Sequence, residues 1–215
     1  MTNRKTRWTL TILALLLSLP TPRASAQASA DPTLVEVRGG IVNFHVTTNV
    51  SAISVHGHSN SLEATVRIHH GPEGTVLENV EASVPVKSLA TGMSLRDEHM
   101  RKQIFTAPDG QRPDVRFVAA RTTCSASGSG RPKICELTGE LTIRGIERPF
   151  RIALKVSDES KAFRVVGEAI VKLSAYGIEQ PSQLGVRTAD DVRLQMEFTA
   201  RQVAQLVTAR SEGVR

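Results

Sequence analysis

Apolar residues recur at every second position in one stretch of this chain after another. Val80, Ala82, Val84 and Val86 alternate with polar neighbours, as do Val115, Phe117 and Ala119. The pattern returns in Leu137, Gly139, Leu141 and Ile143, then in Ile152, Leu154 and Val156. It runs on through Phe163, Val165, Gly167, Ala169, Val171 and Leu173, and ends with Val192, Leu194, Met196 and Phe198. Upstream, 41–46, 52–56 and 62–68 read as further strands, divided by turn residues. Period two places one apolar face on each strand, and the spacing predicts eight or nine antiparallel strands with no strand–helix–strand rhythm. Such strands must bury their faces against one another, as a sandwich or a closed barrel. A barrel of about eight strands has an interior that side chains fill or that holds one small ligand.

The first residues are set apart from this pattern. Arg4, Lys5 and Arg7 precede an apolar run over 10–19, and Ala24, Ser25 and Ala26 form a small-residue cleavage site before Gln27. These features predict a secretory signal peptide over 1–26, a periplasmic or secreted protein, and no transmembrane segment in the mature chain, since a spanning helix needs about 20 apolar residues. The leader carries four of the 27 basic residues and none of the 21 acidic ones, so the mature chain is close to neutral. With no basic run and only 4% aromatic residues, nothing points to nucleic acid. One domain is expected over 27–199, followed over 200–215 by a short helix or tail.

Cys124 and Cys135 are the only cysteines. They flank a Gly/Ser-rich loop between two strand-like runs, so the thiols can face each other on the arms of a hairpin. In an exported protein this predicts a disulfide. A redox-active pair would call for Cys-x-x-Cys, and a metal site for two more ligands.

The single strong helix signal lies over 89–105. Ser94 is the expected N-cap, with Asp97 at the capping-box position, and Met93, Met100 and Ile104 share one face. Arg96, Asp97 and His99 are left near its edge.

Thr91 and Gly92, the string from Leu95 through Arg96, Asp97, Glu98 and His99 to Met100, then Phe105, and the Arg112, Pro113, Asp114, Val115, Arg116, Phe117 segment resemble the YceI-like family of small periplasmic and secreted proteins. Gly139, Leu141, Thr142, Ile143 and Gly145, followed by Pro149, resemble that family's Gly-x-Leu-Thr-Ile-x-Gly hairpin. The resemblance runs from Val37 to about Thr199. It implies an all-β fold, an extended lipocalin-like eight-stranded antiparallel barrel with one short helix around a long apolar channel. It also implies long-chain polyisoprenoids, such as prenyl quinones or phosphates, as the bound class. The disulfide candidate and the His56, Gly57, His58 triplet depart from the common family pattern, and the aromatic doublet often found after the helix is reduced to Phe105.

Channel-lining candidates on the inward faces are Phe117, Leu141, Ile152, Leu154, Val171, Leu173, Leu194 and Met196, each equally suited to an ordinary core. Arg96, Asp97, His99, Met100 and Phe105 are the candidates for the helix and the channel mouth. The small residues Gly139, Gly167, Ala119 and Ala169 either leave volume unfilled or mark strand curvature. His56 and His58 point to one face of a strand and are the only metal candidates, with His69 or His70 as a third ligand; surface histidines are the alternative. His99 with Asp97 offers an acid–base pair or a structural one. No nucleophile elbow, zinc-protease motif or phosphate-cradling loop occurs, so no catalytic residue is assigned and an enzyme is not expected.

The expectation is a protein that binds an apolar or amphiphilic lipid, with no cofactor apart from a bound polyisoprenoid or quinone. A homodimer is compatible with the pattern. The alternative is a filled barrel acting as a stress-response or redox-partner interaction module, metal-assisted through His56 and His58.

Overall fold

The computed structural model describes residues 32–71, 74–125, 131–160 and 162–203. The leader over 1–26, the centre of the Gly/Ser loop over 126–130 and the tail from 204 lie outside the described residues. The strands are β1 (Thr33–Thr48), β2 (Ser54–Gly71), β3 (Gly74–Val84), β4 (Val115–Cys124), β5 (Lys133–Ile143), β6 (Ile146–Glu159), β7 (Ala162–Lys172), the two-residue β8 (Ser182–Gln183) and β9 (Val186–Gln202). β1 to β7 pair antiparallel in order, β7 pairs with β9, β8 pairs with β9, and β9 pairs back onto β1. Eight long strands thus close an up-and-down barrel, one of the two architectures the alternation allows and the one the family resemblance implies. Closure gives each of the eight long strands a partner on both sides.

Runs 52–56 and 62–68 prove to be one strand, β2. The polar residues between them read as a turn, but Ser59 is fully buried and its hydroxyl lies 2.7 Å from that of Ser88 and accepts from the Ser61 N–H at 3.1 Å. With its polar group satisfied, the strand crosses this point by a register shift against β1. β9 likewise runs through Ala200 to Gln202, past the expected domain end at 199.

The connection from β3 to β4 carries a 3₁₀ turn (Val86–Ser88) and the helix α1 (Ser94–Ile104). Its cap differs from expectation. The N-cap is Met93 and no side chain caps it. Asp97 instead turns inward, 8% exposed, and accepts from the Thr91 N–H at 2.7 Å and from the Thr91 hydroxyl. Arg96 donates to the Thr91 hydroxyl and carbonyl, each at 2.7 Å. A buried carboxylate meeting two donors outweighs a surface cap. Of the expected apolar face, Met100 and Ile104 pack inward while Met93 is 58% exposed.

Inward residues form three clusters. The largest holds Phe117, Leu141, Ile143, Ile152, Val171, Leu173, Tyr176 and Ile178, with Phe150 set edge-on to Phe117 at a 6.3 Å ring separation. A second, of Val42, Leu62, Val84 and Leu89, lies under α1. Both lie largely towards the end of the barrel where β3 ends and β4 begins. The third, Val35, Val37, Ile68 and Ala200, lies at the opposite end.

Candidate functional site

That opposite end is hollow. A cavity of about 100 Å³ lies inside it, and every one of the eight long strands contributes to its wall. β1 gives Val35 and Val37, β2 Ala64 and Ile68, β3 Leu77 and Val80, β6 Leu154 and Val156, β7 Phe163 and Val165, and β9 Phe198 and Ala200. The reason is the size of the inward residues at each level. At the filled end Phe117, Phe150, Leu173 and Tyr176 converge from distant parts of the chain. At the hollow end valine and alanine make up eight of the nineteen described wall residues, and space is left along the axis.

β4 and β5 close the wall with Cys124 and Cys135, joined by the expected disulfide with Cα atoms 4.3 Å apart. Both are buried and line the cavity. The bond lies where the sheet is weakest. The β4–β5 ladder has three pairs, from Arg116↔Thr142 to Val118↔Glu140, and resumes only at a single bridge between Ser125 and Ile134. Between them, the Thr122 hydroxyl donates to the Glu136 carbonyl at 2.8 Å.

Of the eight residues expected to line a channel, Leu154 borders the cavity. Phe117, Leu141, Ile152, Val171 and Leu173 are packed in the filled half, with Leu194 and Met196 against them. The inward glycines leave no void. A Cβ on Gly139 would lie 2.2 Å from the Val118 carbonyl oxygen, and one on Gly167 2.7 Å from Leu154 Cδ2. Both mark close approach of neighbouring chain. Residues missed by sequence reasoning include Val35, Leu77, Phe163 and Phe198. The available signal was their level along the barrel, set by strand order and not by alternation alone.

The helix candidates lie at the other end from the cavity. Met100 and Phe105 pack on the cluster under α1, and His99 is exposed rather than packed at a mouth. Burial pushes the Asp97 carboxyl up, but the Thr91 hydroxyl and N–H, with the charges of Arg101 and Arg96, outweigh it and hold the group below the usual carboxylate range. Burial also raises the Tyr176 phenol to about 12. Both are structural parts of the closed end.

The histidines do not converge. His56 stacks on His45 of β1 with ring centroids 4.3 Å apart, and its Nε2 lies 2.9 Å from the Ser54 hydroxyl. His69 pairs with Glu78 and His70 with Thr75 farther along β2. Among the described residues no three His, Cys, Asp or Glu side chains are placed to hold a metal ion. The triplet is explained by its glycine: a Cβ at position 57 would lie 2.1 Å from the Phe44 ring and 2.7 Å from the Ala90 carbonyl. Among the described residues no helix is long and apolar enough to cross a membrane.

Solved structures share this fold. BcnA of Burkholderia cenocepacia matches with a TM-score of 0.54 at 18% identity, covering 74% of this chain and 95% of that one. A polyisoprenoid binding domain from Saccharophagus degradans, implicated in plant cell wall breakdown, matches with a TM-score of 0.56 at 11% identity over 80% and 99%. The Campylobacter jejuni YCEI protein matches with a TM-score of 0.54 at 17% identity over 69% and 85%. No curated protein matches the chain. The family model for the YceI-like domain matches residues 31–200, nearly the whole described barrel, and the chain therefore belongs to the YceI-like domain family.

Proposed function

We propose that this protein is an exported carrier that holds the apolar chain of an isoprenoid or similar amphiphilic lipid in the hollow end of its barrel. The observation that carries this reading is the apolar cavity, partly open to solvent, to which all eight long strands contribute. Dry apolar cavities take up apolar guests, and one of about 150 Å³ accepts benzene. On that scale, about 100 Å³ receives four or five carbons, close to one isoprene unit.

At about 0.8 kcal/mol per methylene, five carbons contribute about 4 kcal/mol, a millimolar affinity. Tighter binding needs more buried chain. The remainder of a long ligand therefore lies across the rim or displaces inward side chains next to the cavity, such as Leu137 and Leu154. The leader and the buried disulfide both fit an oxidising compartment outside the cytoplasm. The polyisoprenoid named for the Saccharophagus degradans relative supports the chain class. Binding rather than catalysis is the reading, because the acid–base candidate His99 stands exposed at the end remote from the cavity.

Native mass spectrometry of protein purified from its producing cells, with organic extraction of the mass lost on denaturation, tests this. A stoichiometric lipid with an extended apolar chain is expected. A bare polypeptide that also fails to take up added prenyl lipids would overturn the reading.

A further inference from the structure

Among the described residues, the wall of the cavity holds one ionisable side chain. Lys133 opens β5, and the alternation that turns Cys135 and Leu137 inward turns Lys133 inward as well. Its stem lines the cavity while its ammonium reaches Asp158, with Nζ 3.2 Å from one carboxylate oxygen and 3.1 Å from the other. Asp158 lies on β6 two residues past Val156, the register partner of Lys133, so the pair sits on the inner side of the rim. The lysine side chain is 25% exposed and its partner 60%. An inward lysine at the mouth of an otherwise apolar cavity has its stem in the chain's path and its charge at the entrance.

We propose that the cavity selects chains that end in an anion, a carboxylate or a phosphate monoester, and that Lys133 receives the head group by exchanging Asp158 for it. This rests on the carrier reading. The exchange is inexpensive because an exposed ion pair contributes at most about 1 kcal/mol, and Asp158 is released into water. The incoming anion forms the same charge-assisted hydrogen bond, and its tail, held in the cavity, keeps it at the rim.

The test compares equilibrium binding of dodecanoate, dodecyl phosphate and dodecanol, which share one chain. Both anions are expected to bind up to about fivefold more tightly than the alcohol, the equivalent of about 1 kcal/mol. Lys133→Met is expected to bring that preference to within about twofold, and Asp158→Asn, which removes the competing carboxylate, to raise anion affinity severalfold. Asp158 forms no part of the cavity wall, so its variant tests the exchange independently of how Lys133→Met folds. Equal binding of all three by the unmodified protein, or a preference that survives Lys133→Met, would overturn the head-group assignment and leave the carrier reading standing. Binding of none of the three would overturn the head-group assignment, and failure to take up prenyl lipids as well would overturn the carrier reading.

Discussion

Replacing Ala64 with leucine places three more carbons in the cavity, because Ala64 lies on its wall, facing inward from β2 between Val37 of β1 and Ala82 of β3. Two routes give the size of the effect. An unfilled volume costs about 24 cal/mol per Å³, so 100 Å³ costs the empty protein about 2.4 kcal/mol. Three buried carbons at about 0.8 kcal/mol each return the same 2.4 kcal/mol. The gain for Ala64→Leu therefore has an upper bound of about 2.4 kcal/mol, reduced by any rotamer strain. Ala119 supplies the contrast. It is 2% exposed in the filled half, 2.9 Å from where a Cβ on Gly139 would stand, and Ala119→Leu is expected to destabilise by about 1–3 kcal/mol through overpacking. Urea denaturation of delipidated protein followed by circular dichroism reads both. In addition, Ala64→Leu is expected to lose lipid uptake while folding more stably. Were Ala64→Leu to destabilise as much as Ala119→Leu and still take up lipid, the hollow end as described would be refuted.

Removing the disulfide by a double Cys124→Ala, Cys135→Ala change is expected to cost about 3 kcal/mol, from the chain-entropy cost of a loop with a sequence separation of 11, and an unchanged urea midpoint would contradict it. Leu184 occupies the left-handed region at φ 51 in the hairpin between β8 and β9, with its side chain 98% exposed, so Leu184→Asn should raise stability by up to about 1 kcal/mol in the same assay. The folded-state pKa of Asp97 lies below its unfolded value, so the stability it contributes is present above the ordinary carboxylate range, near pH 4, and is lost as pH falls through the folded value. Asp97→Asn should therefore lower stability at neutral pH and flatten the acid limb of a stability–pH curve; an unaltered acid limb would assign that loss to other carboxylates, such as Asp190, which Ser174 holds low in the same way.

Alternation made the strands and their antiparallel order legible, because an inward or outward direction is fixed by period two; it left sandwich and barrel open, and the family resemblance pointed to the barrel. The cysteine hairpin was legible because its two strand-like arms flank a Gly/Ser loop, and both thiols do point inward. The joining of 52–56 and 62–68 was not legible, since Ser59 is polar by composition and is buried only because Ser88, far along the chain, meets it. The helix cap was misread for a related reason. Asp97 has Thr91 and Arg96 as partners in a fold where the chain turns back before α1, and spacing along a helix does not reveal that turn. Nor was the position of the cavity legible. Whether inward volume is filled depends on which side chains meet at one level, and Phe117, Phe150 and Tyr176 meet only once the register is set.

The central claim is that an apolar chain enters the hollow end and not the end closed by Tyr176 and α1. A crystal structure of the protein with an alkyl chain tipped by bromine, phased at the bromine edge, tests it most directly. The account predicts an anomalous peak inside the barrel, among Val35, Leu77, Leu154 and Phe198, next to the disulfide. A peak on the outer surface, or one between Phe117 and Tyr176, would contradict it.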